Sequence, residues 1–180
     1  MKAAFALALA LLVSPTFVSA QVEVGLDAGF MLRSIDDADD NLTAVAVPST
    51  TGFVPMVSGA RIGFPAGQTV VVESIVNFGY QSSGDESVTI FGLIPGVNVL
   101  LGERLYVRGE AGLSYISFGE DDSETQYLLG GGLGLRNMLG EGALLRLEAG
   151  VDRVFENEDD FAPGSWDFRA LIGLSAIIGP

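Results

Sequence analysis

The feature that most constrains the fold is a strict alternation of apolar and polar side chains within segments of similar length. In residues 105–115 every second position is apolar or glycine, and the positions between them include Arg108 and Glu110. Successive side chains of a β-strand point to opposite faces, so this pattern predicts strands with one apolar and one charged face. The same alternation is found in residues 22–30, 145–152 and 167–178.

Eight such segments, each bounded by turn residues, recur along the chain. Very short connections alternate with longer ones, a pattern typical of a barrel with tight turns on one side of a membrane and loops on the other. We predict an all-β fold, an eight-stranded antiparallel up-and-down transmembrane β-barrel. Its predicted strands cover residues 21–33, 51–64, 68–80, 87–101, 103–118, 125–139, 142–155 and 165–179. The longer connections are predicted at residues 35–50, 81–86, 119–124 and 156–164.

The polar faces of the predicted strands carry balanced charge in a chain that is otherwise strongly acidic. Beyond residue 20 there are 23 acids and eight arginines, a net charge of −15, yet the polar faces collect seven acids and seven arginines. Uncompensated buried charge is costly, so a neutral polar face fits a closed interior. We predict a charge network that fills the lumen, formed by Glu23, Asp27, Arg33, Arg61, Glu73, Arg104, Arg108, Glu110, Arg136, Arg146, Glu148, Asp152, Asp167 and Arg169.

Aromatic residues mark one level of the apolar face. Membrane barrels carry aromatic girdles where their lipid-facing surface meets the membrane interfaces. Among the aromatic residues of the apolar face, only Phe64 lies toward the short-turn end of its strand. Arg153 is the only charge on this face, at the loop-proximal end. The aromatic residues predicted near the long loops are Phe30, Phe78, Tyr80, Phe91, Tyr115, Tyr127, Phe155, Trp166 and Phe168.

Two features interrupt the pattern. Pro95 falls inside the fourth predicted strand, where its missing N–H removes one ladder hydrogen bond, so we expect a bulge or a local irregularity there. The run Gly130-Gly131-Gly132 indicates close backbone packing in a narrow barrel rather than a phosphate loop, because no strand-to-helix context follows it.

The first twenty residues have the order of a cleavable secretory signal. Lys2 precedes the apolar run 3–13, and the stretch ends in Val18-Ser19-Ala20. The apolar run is too short to span a bilayer, which needs about 20 residues. We expect a signal peptide over residues 1–20 and a mature barrel domain over 21–180, located in the outer membrane.

Composition excludes several functions. A net charge of −15 argues against nucleic-acid binding, and the absence of histidine removes the Ser-His and Asp-His arrangements of known barrel enzymes. We therefore expect neither enzyme activity nor a cofactor. The acidic stretch 36–41 has two interpretations that stay open: weak divalent-cation binding by carboxylate oxygens, or simple solvation of a loop in a salty medium.

Two neighbouring segments resemble a known family. Ile94-Pro95-Gly96-Val97-Asn98-Val99-Leu100, followed by Leu105-Tyr106-Val107-Arg108-Gly109-Glu110-Ala111-Gly112-Leu113, resembles the porin-family outer-membrane β-barrel domain, whose members include PorT-like proteins. The chain also looks like the small eight-stranded barrels of outer-membrane protein X and of the membrane domain of outer-membrane protein A. This resemblance implies the fold rather than an activity.

Three functions are compatible with the pattern. A structural or surface-interaction barrel with a filled lumen is favoured, because the interior of eight strands is only wide enough for side chains. A narrow ion-conducting pore and a soluble, lipocalin-like carrier of an apolar ligand are the alternatives. For the barrel we expect outer-membrane lipids as partners and a monomeric state.

Overall fold

A computed structural model describes residues 21–36, 41–46, 59–83, 86–118, 123–156 and 164–179. Seven of the eight predicted strands match observed strands to within three residues at either end. No helix in this part of the chain is long and apolar enough to cross a membrane. The observed strands are β1 Val22–Ile35, β2 Asn41–Ala46, β3 Gly59–Pro65, β4 Val70–Ser83, β5 Glu86–Leu100, β6 Leu105–Phe118, β7 Ser123–Met138, β8 Ala143–Phe155 and β9 Ser165–Ile178.

Backbone hydrogen bonds close the sheet into a barrel. From β3 to β9 each strand pairs antiparallel with the next, and β9 pairs with β1 along the full length of both strands. The ring has eight positions, because β2 and β3 share one edge of β1: β3 pairs with residues 23–27 and β2 with residues 29–34. The predicted fold class, a closed eight-stranded antiparallel barrel, is confirmed.

The second strand position differs from its prediction. The sequence pattern predicts one strand over residues 51–64, whereas β3 begins at Gly59 and β2 lies within the predicted loop 35–50. Residues 51–58 lie outside the described residues. β2 pairs with residues 29–34 of β1, which would otherwise present an open row of backbone donors and acceptors.

The predicted longer connection over residues 81–86 is also wrong, because strand pairing extends into it from both sides. β4 extends to Ser83 and β5 begins at Glu86, and these two residues lie opposite each other in the ladder. The polar side chains at this end indicate a loop, but backbone pairing does not depend on which side chains the strand carries.

The three short turns at the other end of the barrel have the same hydrogen-bond pattern. The N–H groups of Ala66, Leu101 and Leu139 each donate to the carbonyl oxygen four residues later, at 2.8 Å. Gly67 and Gly102 have φ angles of 99° and 103°, a left-handed conformation that glycine adopts without a Cβ clash. These turns lie where the sequence predicts short connections.

Pro95 interrupts the ladder without shifting it. On both sides of the proline β5 and β6 keep the same register, with Leu93 opposite Leu113 and Gly96 opposite Glu110, but residues 94 and 95 have no ladder partner in β6. The prediction of a bulge or a local irregularity is therefore confirmed in its second form, because the ladder is interrupted but no extra residue enters the strand.

The apolar faces of the strands point outward and the charged faces point into the lumen. All nine aromatic residues predicted near the long loops are exposed on the outer surface, from 36% for Phe91 to 75% for Phe78. Glu73, Arg108 and Arg146 are at most 2% exposed. The lipocalin-like alternative requires the apolar faces to line the interior, and this orientation contradicts it.

Glycines in the lumen make room for the charged side chains. A Cβ on Gly150 would lie 2.9 Å from a guanidinium nitrogen of Arg169 and 2.8 Å from the backbone oxygen of Gly131. A Cβ on Gly96 would lie 3.0 Å from a guanidinium nitrogen of Arg108. Small residues therefore face large ones across neighbouring strands, as expected in a narrow barrel.

We predict that Gly150→Ala lowers the free energy of unfolding by about 1–3 kcal/mol, because the added methyl group overpacks the lumen against backbone that cannot easily move. The matched control is Gly109→Ala, since a Cβ at Gly109 meets nothing within 4 Å. Urea unfolding in detergent, followed by tryptophan fluorescence, measures both variants. Equal stability of the two would contradict the tight packing of the lumen.

Candidate functional site

The lumen contains most of the charged residues that the sequence assigns to it. Arg33 and Arg136 lie nearer the two ends, with side chains 14% and 13% exposed. Arg104 is different: it is exposed in the short turn before β6, so its assignment to the lumen is corrected. Alternation predicts a side chain's face only while the strand continues. The buried charged residues are Glu23, Asp27, Arg61, Glu73, Arg108, Glu110, Arg146, Glu148, Asp152, Asp167 and Arg169.

Glu73 is the centre of a first group of ion pairs, the Glu73 cluster. This carboxylate contacts the guanidinium groups of Arg61, Arg108 and Arg146. Both terminal nitrogens of Arg146 donate to Glu73 Oε2 at 2.7 Å. Arg61 also donates through Nε to Asp27 at 2.7 Å. Because β4 and β8 occupy opposite positions in the ring, the Arg146–Glu73 pair crosses the whole lumen.

Arg169 is the centre of a second group, the Arg169 cluster. Its guanidinium donates to Asp152 at 2.7 Å and to Glu148 at 2.8 Å, and it also binds Glu110. The hydroxyl of Tyr106 donates to the second oxygen of Glu148 at 2.7 Å. A planar guanidinium has five N–H donors, so one arginine can serve three carboxylates at once.

The two clusters form one lumen network. Arg108 donates to Glu110, which joins the Glu73 cluster to the Arg169 cluster. The network then holds five carboxylates and four guanidinium groups, one negative charge in excess. In a low-dielectric interior such pairs are stabilising only when nearly every charge has a partner, and this arrangement meets that condition.

Two further ion pairs lie inside the barrel but do not belong to the lumen network. Glu23 pairs with Arg136 near the short turns. Arg33 donates to both oxygens of Asp167, at 2.8 and 2.7 Å, near the long loops. Ion pairs therefore occur at both ends of the lumen as well as in its middle.

The lumen also contains a layer of apolar side chains that the alternation of the sequence was not used to predict. Ile75, Ile94, Leu128 and Val154 form a cluster in which each residue is at most 3% exposed. The alternation could have predicted this layer, because Ile75 shares its face with Glu73 and Val154 shares its face with Asp152. Together with the ion pairs, these side chains fill the interior.

At the loop end, Arg153 of β8 forms an ion pair with Asp36, which follows β1. It donates to both oxygens of Asp36, at 2.9 and 2.5 Å, and its guanidinium carbon lies 5.4 Å from the ring centre of Trp166. The hydrogen bond from Arg153 holds the pKa of Asp36 below its ordinary value. Although Arg153 lies on the apolar face, these contacts are all within the protein.

The acidic stretch 36–41 gives no further support for a cation site. Residues 37–40 lie outside the described residues. Elsewhere in the described chain no group of three or more acidic side chains is arranged to hold a metal ion. Weak divalent-cation binding at the loops stays a prediction.

Comparison with known proteins shows the fold. No protein-family model matches the chain, and no curated protein sequence matches it. Neisserial surface protein A has a similar structure, with a TM-score of 0.53 and 13% identity over 84% of this chain and 95% of that one. The attachment invasion locus protein Ail of Yersinia pestis has a TM-score of 0.48 and 12% identity over 89% of this chain and 100% of that one. Outer membrane protein OprG from Pseudomonas aeruginosa has a TM-score of 0.46 and 11% identity over 90% and 98%. The resemblance to PorT-like or protein X-like families stays a prediction.

We predict that Glu73→Gln lowers the free energy of unfolding by about 3–5 kcal/mol, because it leaves three buried arginines without their shared carboxylate. Glu141→Gln is the control, since it makes the same change in an exposed turn. Urea unfolding in detergent compares the two variants. A Glu73→Gln barrel as stable as the control would show that lumen water screens these charges.

The Asp36–Arg153 pair predicts a pH-dependent contribution to stability. Because the pKa of folded Asp36 lies below its ordinary value of 3.8, the pair stabilises the fold above that value and stops doing so as pH falls through the folded-state pKa. Asp36→Asn should therefore lower the urea midpoint at pH 7, and the difference should disappear in strong acid. A double-mutant cycle with Arg153→Met tests the assignment, because the two losses should not add.

Proposed function

We propose that the chain is a monomeric outer-membrane barrel whose role lies in its surface rather than in transport or catalysis. The apolar outer face and its aromatic residues support a membrane location, since exposing this surface to water would be costly. Strand order supports the orientation: with an even number of barrel strands, both chain ends lie with the short turns, on the periplasmic side.

The observation that carries this proposal is the ion pair of Arg146 with Glu73. It joins opposite walls of the barrel at 2.7 Å, and the lumen network surrounds it. An eight-stranded barrel is just wide enough for its interior to be filled by side chains. A path for solutes would have to break buried ion pairs, which is unfavourable by several kcal/mol.

With a filled lumen, the loops are the parts available for interaction. Of 23 acids in the sequence, seven are buried in the lumen, and sixteen lie in the connections and at strand ends. We infer a structural or surface-interaction role for the side that carries the long loops, with the lipids of the outer membrane as constant partners. Enzyme activity is not proposed, because a chain without histidine lacks the usual general base of barrel hydrolases.

A narrow ion-conducting pore is the second candidate. The observation in its favour is the negative charge in excess within the lumen network, since acidic groups lining a pore favour cations. This candidate therefore predicts cation selectivity, whereas the sealed barrel predicts no steady current.

Planar-bilayer recording of the refolded barrel separates the two candidates. We expect no steady conductance from the wild type. Glu73→Gln should show small openings without cation selectivity, because the substitution loosens the pair that crosses the lumen and also removes the network's excess negative charge. Glu141→Gln should stay silent. Insertion is checked first by the different mobility of unboiled and boiled protein on SDS gels. A large steady current from the wild type would favour the pore.

A further inference from the structure

The lumen opens at the short-turn end into a cavity of about 470 Å³. Three charged residues line it, Glu23, Glu103 and Arg136, together with Gln21 just before β1. Two carboxylates against one guanidinium give the cavity an excess of one negative charge. None of these residues belongs to the lumen network, so the cavity is a separate feature of the barrel.

Glu23 is the residue in this cavity whose bonding is incomplete. Its side chain is 3% exposed, and one carboxylate oxygen accepts a hydrogen bond from Arg136. The other oxygen, Oε2, is buried and has no hydrogen-bond partner. A buried carboxylate oxygen without a donor is costly, so the geometry favours a cationic donor at this position.

The sequence supplies such a donor once the signal is removed. Cleavage after Ala20 would leave Gln21 as the first residue and create an α-ammonium group there. Residues two apart on a strand share a face and lie about 7 Å apart between Cα atoms, a distance that a glutamate side chain can cover. Gln21 and Glu23 line the same cavity.

We propose that the α-ammonium group of mature Gln21 docks in this cavity and donates to Glu23. The amino terminus then completes the pair that Arg136 begins, and the three groups form a closed seal at the periplasmic mouth. Signal cleavage thereby becomes part of barrel assembly, since the uncleaved chain has an amide in place of the ammonium. This inference rests on cleavage after Ala20 and is independent of whether the lumen conducts.

Cyclisation of Gln21 provides a specific test. Glutaminyl cyclase lets the α-amino nitrogen attack the Cδ carbonyl of Gln21. A new C–N bond forms, the side-chain amide C–N bond breaks and ammonia leaves, so a neutral lactam replaces the ammonium without any redox change. Mass spectrometry of the mature protein first establishes that the chain begins at Gln21, and a chain that keeps residues 1–20 overturns the proposal.

Two measurements then follow. Cyclisation of the folded wild type should be about tenfold slower than that of Glu23→Gln, because a charge-assisted hydrogen bond corresponds to a factor of ten or more in equilibrium. Wild type cyclised before refolding should have a lower urea midpoint than uncyclised wild type, whereas cyclisation should leave the midpoint of Glu23→Gln unchanged. Glu103→Gln, the same change at the rim, should retain most of the protection.

Two results would contradict docking of the amino terminus at Glu23. Equal cyclisation rates in wild type and Glu23→Gln, or equal loss of stability on cyclisation in both, would show that the terminus lies free and that Glu23 takes a cation from solution or none. Should Glu23→Gln fail to refold, Glu23→Asp replaces it, because a carboxylate shortened by one methylene keeps its charge for Arg136 and draws back from Gln21.

Discussion

The pairing of β1 with β9 determines the rest of the structure. These strands lie side by side along their whole length, from Val22 opposite Ile178 to Ile35 opposite Ser165, and so remove the two edges that an open sheet would expose. Closure at eight positions sets the width of the barrel. That width leaves little room for bulk water inside, so the side chains that point inward must pack against one another.

The lumen satisfies this requirement by combining glycines with charges. Gly96, Gly134 and Gly150 lie beside Arg108, Tyr106 and Arg169, and the space that each glycine leaves is occupied by the larger side chain. Long arginines can then cross the barrel and meet carboxylates on distant strands, as Arg146 meets Glu73. The apolar layer around Ile75 and Leu128 fills the remaining space, which makes pairing within the charged layers stronger by excluding water.

The sequence predicted the fold because alternation is a local property, whereas the partners in the lumen are not. Seven strands and the inward direction of Glu73 and Arg146 follow from a period of two. Their contact does not, since it depends on how far the barrel closes and which glycines lie between. β2 was missed because it depends on the free edge of β1, and Arg104 was misplaced because the strand had already ended in a turn. The bonding of Glu23 could not be predicted from the sequence, because it depends on how side chains from different strands are arranged at the short-turn end of the barrel.

The distribution of charge explains why such an acidic chain can build a buried network. The described lumen holds seven carboxylates against six guanidinium groups, so folding places the arginines inside with nearly equal numbers of acids. The other acids among the described residues lie in turns and at strand ends, and salt screens exposed charges beyond about 10 Å. Outside the lumen, Arg153 is committed to Asp36 and Trp166, which leaves the loop side without an available counter-charge among the described residues. Positive charge on a macromolecule would therefore favour its binding to this side of the barrel.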